Sequence, residues 1–127
     1  MRFCVISLCS LTLAAGSMRS LAQEEDGAAF LRVCGATVRS SAGLELTPEE
    51  TSASQFCTAY ISGYLDSAVV VAALLEIKNP ICLPKEGVLP ADAAQILVKY
   101  LRENPADVHR PGKVLLMVAL RRAFPCG

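Results

Sequence analysis

Four cysteines, Cys34, Cys57, Cys82 and Cys126, lie downstream of an apolar leader and constrain this chain more than any other feature. An even set of separated thiols in an exported chain reads as two disulfides, because such bridges persist only outside the reducing cytosol. Four thiols allow three pairings. The helix pattern described below favours Cys34 with Cys57, brought together by a helical hairpin, which leaves Cys82 to clamp Cys126. In the chain-entropy picture each bridge contributes about 3–4 kcal/mol, a large share of a total stability of about 5–15 kcal/mol. Zinc is the rival use of four thiols. Structural zinc sites pair their cysteines two to four residues apart, whereas these are each more than twenty residues apart, so no metal or other cofactor is expected.

The leader opens with one cation, Arg2, and an apolar run from Phe3 to Ala15 interrupted only by Ser7, Ser10 and Thr12. Ser20-Leu21-Ala22 sets small residues at the minus-three and minus-one places of a signal-peptidase site, so cleavage is expected after Ala22, with Ala14-Ala15-Gly16 as a weaker site. The run falls short of the roughly 20 residues a spanning helix needs. Cys9 sits inside it, which argues against a lipoprotein. The expected organisation is a signal peptide at 1–22 and a single helical domain at 23–127, periplasmic, with no membrane insertion after cleavage. Cleavage removes Cys4, Cys9, Arg2 and Arg19, leaving four cysteines and ten basic residues against twelve acidic ones. Nucleic acid, which calls for a clustered basic surface, is not an expected partner.

Helix signals dominate the rest, with no convincing period-two strand. Glu24, Glu25 and Asp26 place negative charge in the first turn of a helix on which Phe30, Cys34 and Val38 form an inward stripe, with Leu31 beside it. Ser40 to Gly43 ends it. Thr47-Pro48-Glu49-Glu50 is a capping box with proline at the first helical position. It starts a second helix, expected to fray around Thr51 to Ser54 and then run to Ile77, stopped by Asn79-Pro80. Ala68 to Leu75 is apolar on every face, which predicts a middle buried in a bundle; Asp66 and Glu76 bracket too short a stretch for a membrane span. Three prolines and a glycine make 80–90 a loop. A third helix is expected from Pro90 to Glu103, burying Ile96, Leu97, Tyr100 and Leu101, then a single turn from Pro105 to His109. Pro111 suits the first position of a fourth helix with Val114, Leu115, Val118 and Ala119 inward. The fold class is therefore all-α, a compact bundle of about four helices stapled by two disulfides.

Residues with catalytic potential are few. His109 is the only histidine and reads as structural or surface-exposed. Asp66 interrupts an apolar helix, where a buried carboxylate needs a hydroxyl or helix-end partner. Gly63, near Ala59 and Ala68, reads as ordinary helix packing. No catalytic set follows, and the chain is read as a binding protein rather than an enzyme. Two regions suit recognition: the charged turn Lys85-Glu86-Gly87 beside a disulfide, and the outward face of the third helix with Asp92, Gln95, Lys99, Arg102 and Glu103. Lys85, Glu86, Asp92, Gln95, Lys99 and Arg102 are the candidate partner-binding residues, a rigid helix joined to an anchored loop.

Several short patterns recur in one order. They are Cys57 with Tyr60-Ile61 and Gly63 to Asp66, then Ile81-Cys82-Leu83-Pro84 and Gly87-Val88. Lys99-Tyr100-Leu101, Pro105, His109 and Pro111 follow, with Ala119-Leu120, Ala123 and Phe124-Pro125-Cys126 last. In this the chain resembles the Tai/Rap immunity proteins, periplasmic inhibitors of peptidoglycan amidases delivered by type VI secretion, over roughly residues 29 to 126. It departs from their pattern at Asp92 (glutamine is usual), Leu89 (threonine or serine), Asn104 (histidine) and Gly112 (alanine), changes expected to leave the fold intact.

The resemblance implies an all-helical, disulfide-bonded, often dimeric protein that binds its toxin and blocks access to the catalytic cysteine. The expected partners are thus a peptidoglycan amidase effector and a second copy in a homodimer. The alternative, from a different class, is a small periplasmic stress chaperone that binds unfolded clients.

Overall fold

A computed structural model describes residues 25–79 and 81–126. The expected signal peptide, its cleavage site and Glu24 lie outside the described residues. Four α-helices follow one another: α1 (Gly27–Ser41), α2 (Pro48–Leu74), α3 (Pro90–Glu103) and α4 (Gly112–Ala123), with a 3₁₀ turn at Pro105–Asp107 between the last two.

Asp26 is the N-cap of α1, its carboxylate accepting from the Ala29 amide at 2.9 Å. The acidic residues thus precede the first turn instead of filling it. The start of α1 is fastened to the segment before α4: the Gly27 amide donates to the Arg110 carbonyl, Ala28 to Val108, and Gly112 back to Glu25. Such close backbone approach requires Gly27, where a Cβ would lie 2.6 Å from Leu115 Cδ1 and 2.9 Å from the Val108 carbonyl.

The Thr47 capping box forms as expected, with Thr47 Oγ1 accepting from the Glu50 amide and the Glu50 carboxylate accepting from the Thr47 amide. With two orphan donors satisfied and Pro48 preset, α2 is continuous through Thr51 to Ser54. It ends earlier than Asn79-Pro80 implies. Glu76 takes a left-handed φ of 52°, and the Ile77 amide donates to the Ala72 carbonyl, so the helix is closed three residues short of Ile77 by local backbone pairing.

Phe30, Cys34, Cys57, Ile61, Leu97, Leu101, Leu115, Leu116 and Leu120 form the fully buried centre. Leu31, Val38, Ile96 and Val118 pack half-buried against it; on α4 the innermost residues are Leu115, Leu116, Ala119 and Leu120, with Val114 only half-buried. Pro111 is the residue before α4 rather than its first. The bridges are Cys34–Cys57 and Cys82–Cys126, spanning 23 and 44 residues, each with its Cα atoms 5.2 Å apart. Beside the first, the buried Thr37 hydroxyl meets Ser54, pinning α1 to α2.

The expectation that Ala68 to Leu75 is buried is overturned. Val69, Val70, Val71, Leu74, Leu75 and Ile77 are exposed, with values from 47% to 76%. The bundle is shorter than α2: Leu65 is the last fully buried residue of that helix, and only the line through Ala68 and Ala72 remains half-covered. Asp66 is exposed, so it needs no buried partner. Gly63 is exposed too, and a Cβ there would have nothing within 4 Å, so no helix packs against it. Among the described residues α2 is the one helix long and apolar enough to cross a membrane, but its first half supplies Cys57, Ile61 and Leu65 to the core of the bundle.

Candidate partner-binding face

The face of α3 is set by its spacing. Asp92, Gln95, Lys99 and Arg102 follow one another by three, four and three residues, so they line one ridge along the helix. All four are exposed. On the opposite side, Ala93, Ala94, Leu97, Val98 and Leu101 are buried against the core. The ridge therefore stands on a helix whose own rotation is fixed by packing.

Gln95, Lys99 and Arg102 edge an open groove of about 500 Å³ whose floor includes Val38, Ile96 and Val98. Lys99 reaches toward Glu103 at 4.0 Å, a solvent-exposed pair that contributes little to stability. Arg102 also borders a second groove of about 500 Å³ over α1, with Arg32, Arg39, Glu49 and Glu50. There Arg39 pairs with Glu50, whose carboxyl is held below its ordinary pKa first by the Thr47 amide, with the Arg39 charge adding to it.

The loop before α3 is anchored at its start. Ile81 is buried in the core and Cys82 is bonded to Cys126. Gly87 turns the chain with a φ of 81°, and its amide donates to the Pro84 carbonyl. Glu86 and Asp92 share a concavity with Val88, Leu89 and Phe124, so loop and helix do meet. Lys85 is not brought to that ridge. It lines a different groove with Val69, Lys78, Cys82 and Cys126, toward the bare end of α2. Both loop residues are exposed.

Sequence reasoning missed one polar cluster at the far end of α3. The buried Tyr100 donates its phenolic proton to Asp107 Oδ2 at 2.5 Å, Arg110 reaches the other carboxylate oxygen at 3.3 Å, and the Arg122 guanidinium lies 4.9 Å from the Tyr100 ring centroid. The hydrogen bond to Asp107, and then burial, push the Tyr100 phenol up. The same bond, followed by Arg110, holds Asp107 down. The signal available in the sequence was a tyrosine seven residues ahead of an aspartate across a Pro105 break. His109, by contrast, is exposed. Among the described residues, no group of three or more histidine, cysteine, aspartate or glutamate side chains is placed to hold a metal ion.

No curated protein and no solved structure matches the chain. The family model for Rap1a immunity proteins matches residues 26–126, from the cap of α1 through the second disulfide. That span takes in every helix, both bridges and the whole α3 ridge with its loop, and the chain belongs to the Rap1a immunity protein family.

Proposed function

We propose that this chain is a periplasmic immunity protein that inhibits a peptidoglycan-cleaving amidase effector by covering its active-site cleft. The family is one of immunity proteins rather than enzymes, and an immunity protein acts by binding a secreted effector. The amidase as target rests on the resemblance described above, and the two disulfides suit an oxidising compartment outside the cytoplasm. The observation that carries the reading is the fixed ridge of Asp92, Gln95, Lys99 and Arg102, which Glu86 of the anchored turn meets at Asp92. A rigid, polar, outward surface loses little conformational freedom on docking, which favours tight binding to a folded partner. Inhibition by occlusion requires no chemistry from the chain itself.

The test is a titration of the oxidised chain from residue 23 into a candidate amidase while peptidoglycan cleavage is followed. Inhibition should reach completion at stoichiometric amounts. Alanine at Asp92, Gln95, Lys99 and Arg102 together should weaken it with the circular dichroism spectrum unchanged, since none of these side chains is buried. Full inhibition by that variant moves the interface off α3. Absence of inhibition across cysteine-dependent amidases removes the amidase as target.

The exposed apolar end of α2 favours a second reading, a small chaperone that binds unfolded clients. That reading predicts suppression of aggregation for several unrelated proteins. Binding confined to one folded enzyme rejects it.

A further inference from the structure

Arg32, Gly35, Ala36 and Arg39 follow one another on α1 by three, one and three residues, so they share one face of that helix. The face lines the groove of about 500 Å³ to which α3 contributes Arg102 and α2 contributes Glu49, Glu50 and Ala53. Gly35 is buried, yet a Cβ built on it would have nothing within 4 Å. Its backbone is screened by the groove around it, and the space above it is unfilled. No positive φ requires glycine at this helical position, where it is the poorest helix former after proline. What the missing side chain leaves is room. The charges around that room are not all matched. Arg39 pairs with Glu50, but Arg32, Arg102 and Glu49 pair with no described residue.

We propose that this groove binds a short free peptide with one acidic side chain. Such a ligand carries one ammonium at its N-terminus and two carboxylates, one on the side chain and one at the C-terminus. That set is the complement of Glu49, Arg32 and Arg102. Guanidinium forks hold carboxylates through paired, charge-assisted hydrogen bonds, and the Glu49 carboxylate accepts from the ammonium. Alanine-sized side chains suit a lining of Gly35, Ala36 and Ala53. From Arg32 to Arg39 the helix rises about 10 Å, the length of about three residues of extended chain, so a tripeptide matches the groove. A nucleotide or oligophosphate is a poorer occupant, because Glu49 and Glu50 repel a ligand that brings only negative charge. The proposal goes beyond the immunity reading and stands without it.

Amide NMR titration of the oxidised chain from residue 23 with the tripeptide alanyl-glutamyl-alanine tests this with no effector present, so its failure leaves the immunity reading untouched. Shifts should centre on Arg32, Gly35 and Arg39, with a Kd on the order of 0.1 mM, as suits an open groove and a ligand of this size. Alanyl-glutaminyl-alanine, which lacks one carboxylate, should bind about tenfold more weakly, and Arg32→Ala or Arg102→Ala should each raise the Kd about tenfold. Gly35→Leu should abolish binding at an unchanged or raised melting temperature, since its side chain enters the empty space. Should that variant unfold, Arg32→Ala still decides the matter, its side chain being exposed. A wild-type chain that binds no tripeptide overturns the proposal, as does binding left unchanged by Arg32→Ala. Inorganic phosphate bound as tightly as the tripeptide would make the groove a simple anion site. Equal binding of the end-blocked peptide, acetylated and amidated, would assign it to an internal acidic segment of a protein. Either result overturns the free peptide as ligand.

Discussion

The ring of Phe30 occupies the space that a side chain at position 112 would need: a Cβ built on Gly112 runs into Cδ2 and Cε2 of that ring and comes within 2.7 Å of the Glu25 carbonyl. The contact leaves room for glycine and for no larger residue at position 112 while Phe30 keeps its place. Phe30 is 1% exposed and packs edge-on to Tyr60 with centroids 4.7 Å apart, so it has no free direction in which to retreat. Gly112→Ala should therefore destabilise the fold by about 1–3 kcal/mol, the usual cost of overpacking. In Phe30→Leu, with a smaller side chain at the clash, the same alanine should cost less. Urea unfolding of the two single variants and the double variant measures this coupling; strictly additive losses would mean that Phe30 is not the obstacle.

The two disulfides differ in access. Cys34 and Cys57 are 0% exposed, whereas Cys82 and Cys126 are exposed. Thiol–disulfide exchange requires a thiolate to reach a sulfur, so limiting reductant on the folded protein should open Cys82–Cys126 first. Alkylation followed by peptide mapping should find label at residues 82 and 126 before 34 and 57. Replacing both Cys82 and Cys126 by alanine should lower stability by about 3–4 kcal/mol and loosen the loop that carries Lys85 and Glu86. Early label at Cys34 would show that the core opens before the loop does.

Much of this architecture was legible because its signals are local. The capping box at Thr47, the proline at the head of α3 and the stripe through Phe30 and Cys34 are decided by a few neighbouring residues and the core they face. The ridge of Asp92, Gln95, Lys99 and Arg102 follows from helical spacing in the same way. What misled was the run Ala68 to Leu75. Apolar composition shows that a segment seeks cover, but nothing in the run says how long the other helices are, and the bundle stops beneath Leu65. The end of α2 was hidden for a related reason: Glu76 in a left-handed turn is not the glycine that usually marks such a stop. Nor could spacing show that Lys85 turns away from Glu86 toward Val69.

Two helix ends lack their preferred residues, and each invites a stabilising change. Leu89 precedes α3 with an extended φ of −66° and ψ of 141°, makes no side-chain cap and is 68% exposed. Leu89→Thr adds a hydroxyl able to accept from an orphan amide of the first turn and should stabilise by about 0.5–1 kcal/mol. Glu76→Gly removes the steric cost of a left-handed residue, partly offset by a freer unfolded chain, for a net gain of a few tenths to about 1 kcal/mol. Thermal unfolding of both variants and their combination should show additive gains, because the sites share no partner. A loss at Leu89→Thr would mean that its apolar contact with the Glu86 concavity outweighs the cap.

The Tyr100–Asp107 hydrogen bond should impose a pH dependence with a defined sign. Asp107 is held below its ordinary pKa by the Tyr100 phenol and then by Arg110. Its contribution is thus complete above the unfolded value near 3.9 and is lost as pH falls through the depressed folded value. Tyr100 is raised, so its contribution is complete below about 10 and is lost as pH rises through its folded value. Tyr100→Phe removes the bond but keeps the ring beneath Arg122. The variant should unfold at a lower temperature than the wild type at pH 7, and the gap should narrow steadily from pH 4 to pH 2 as Asp107 protonates in the wild type. Asp107→Asn should show the same narrowing, because an amide cannot supply the charge that strengthens the bond. Thermal melts followed by circular dichroism over this range give the answer. A gap that stays constant down to pH 2 would mean that the Tyr100 hydroxyl stabilises the end of α3 without drawing on the Asp107 charge, and no gap at pH 7 would mean that Tyr100 acts through packing alone.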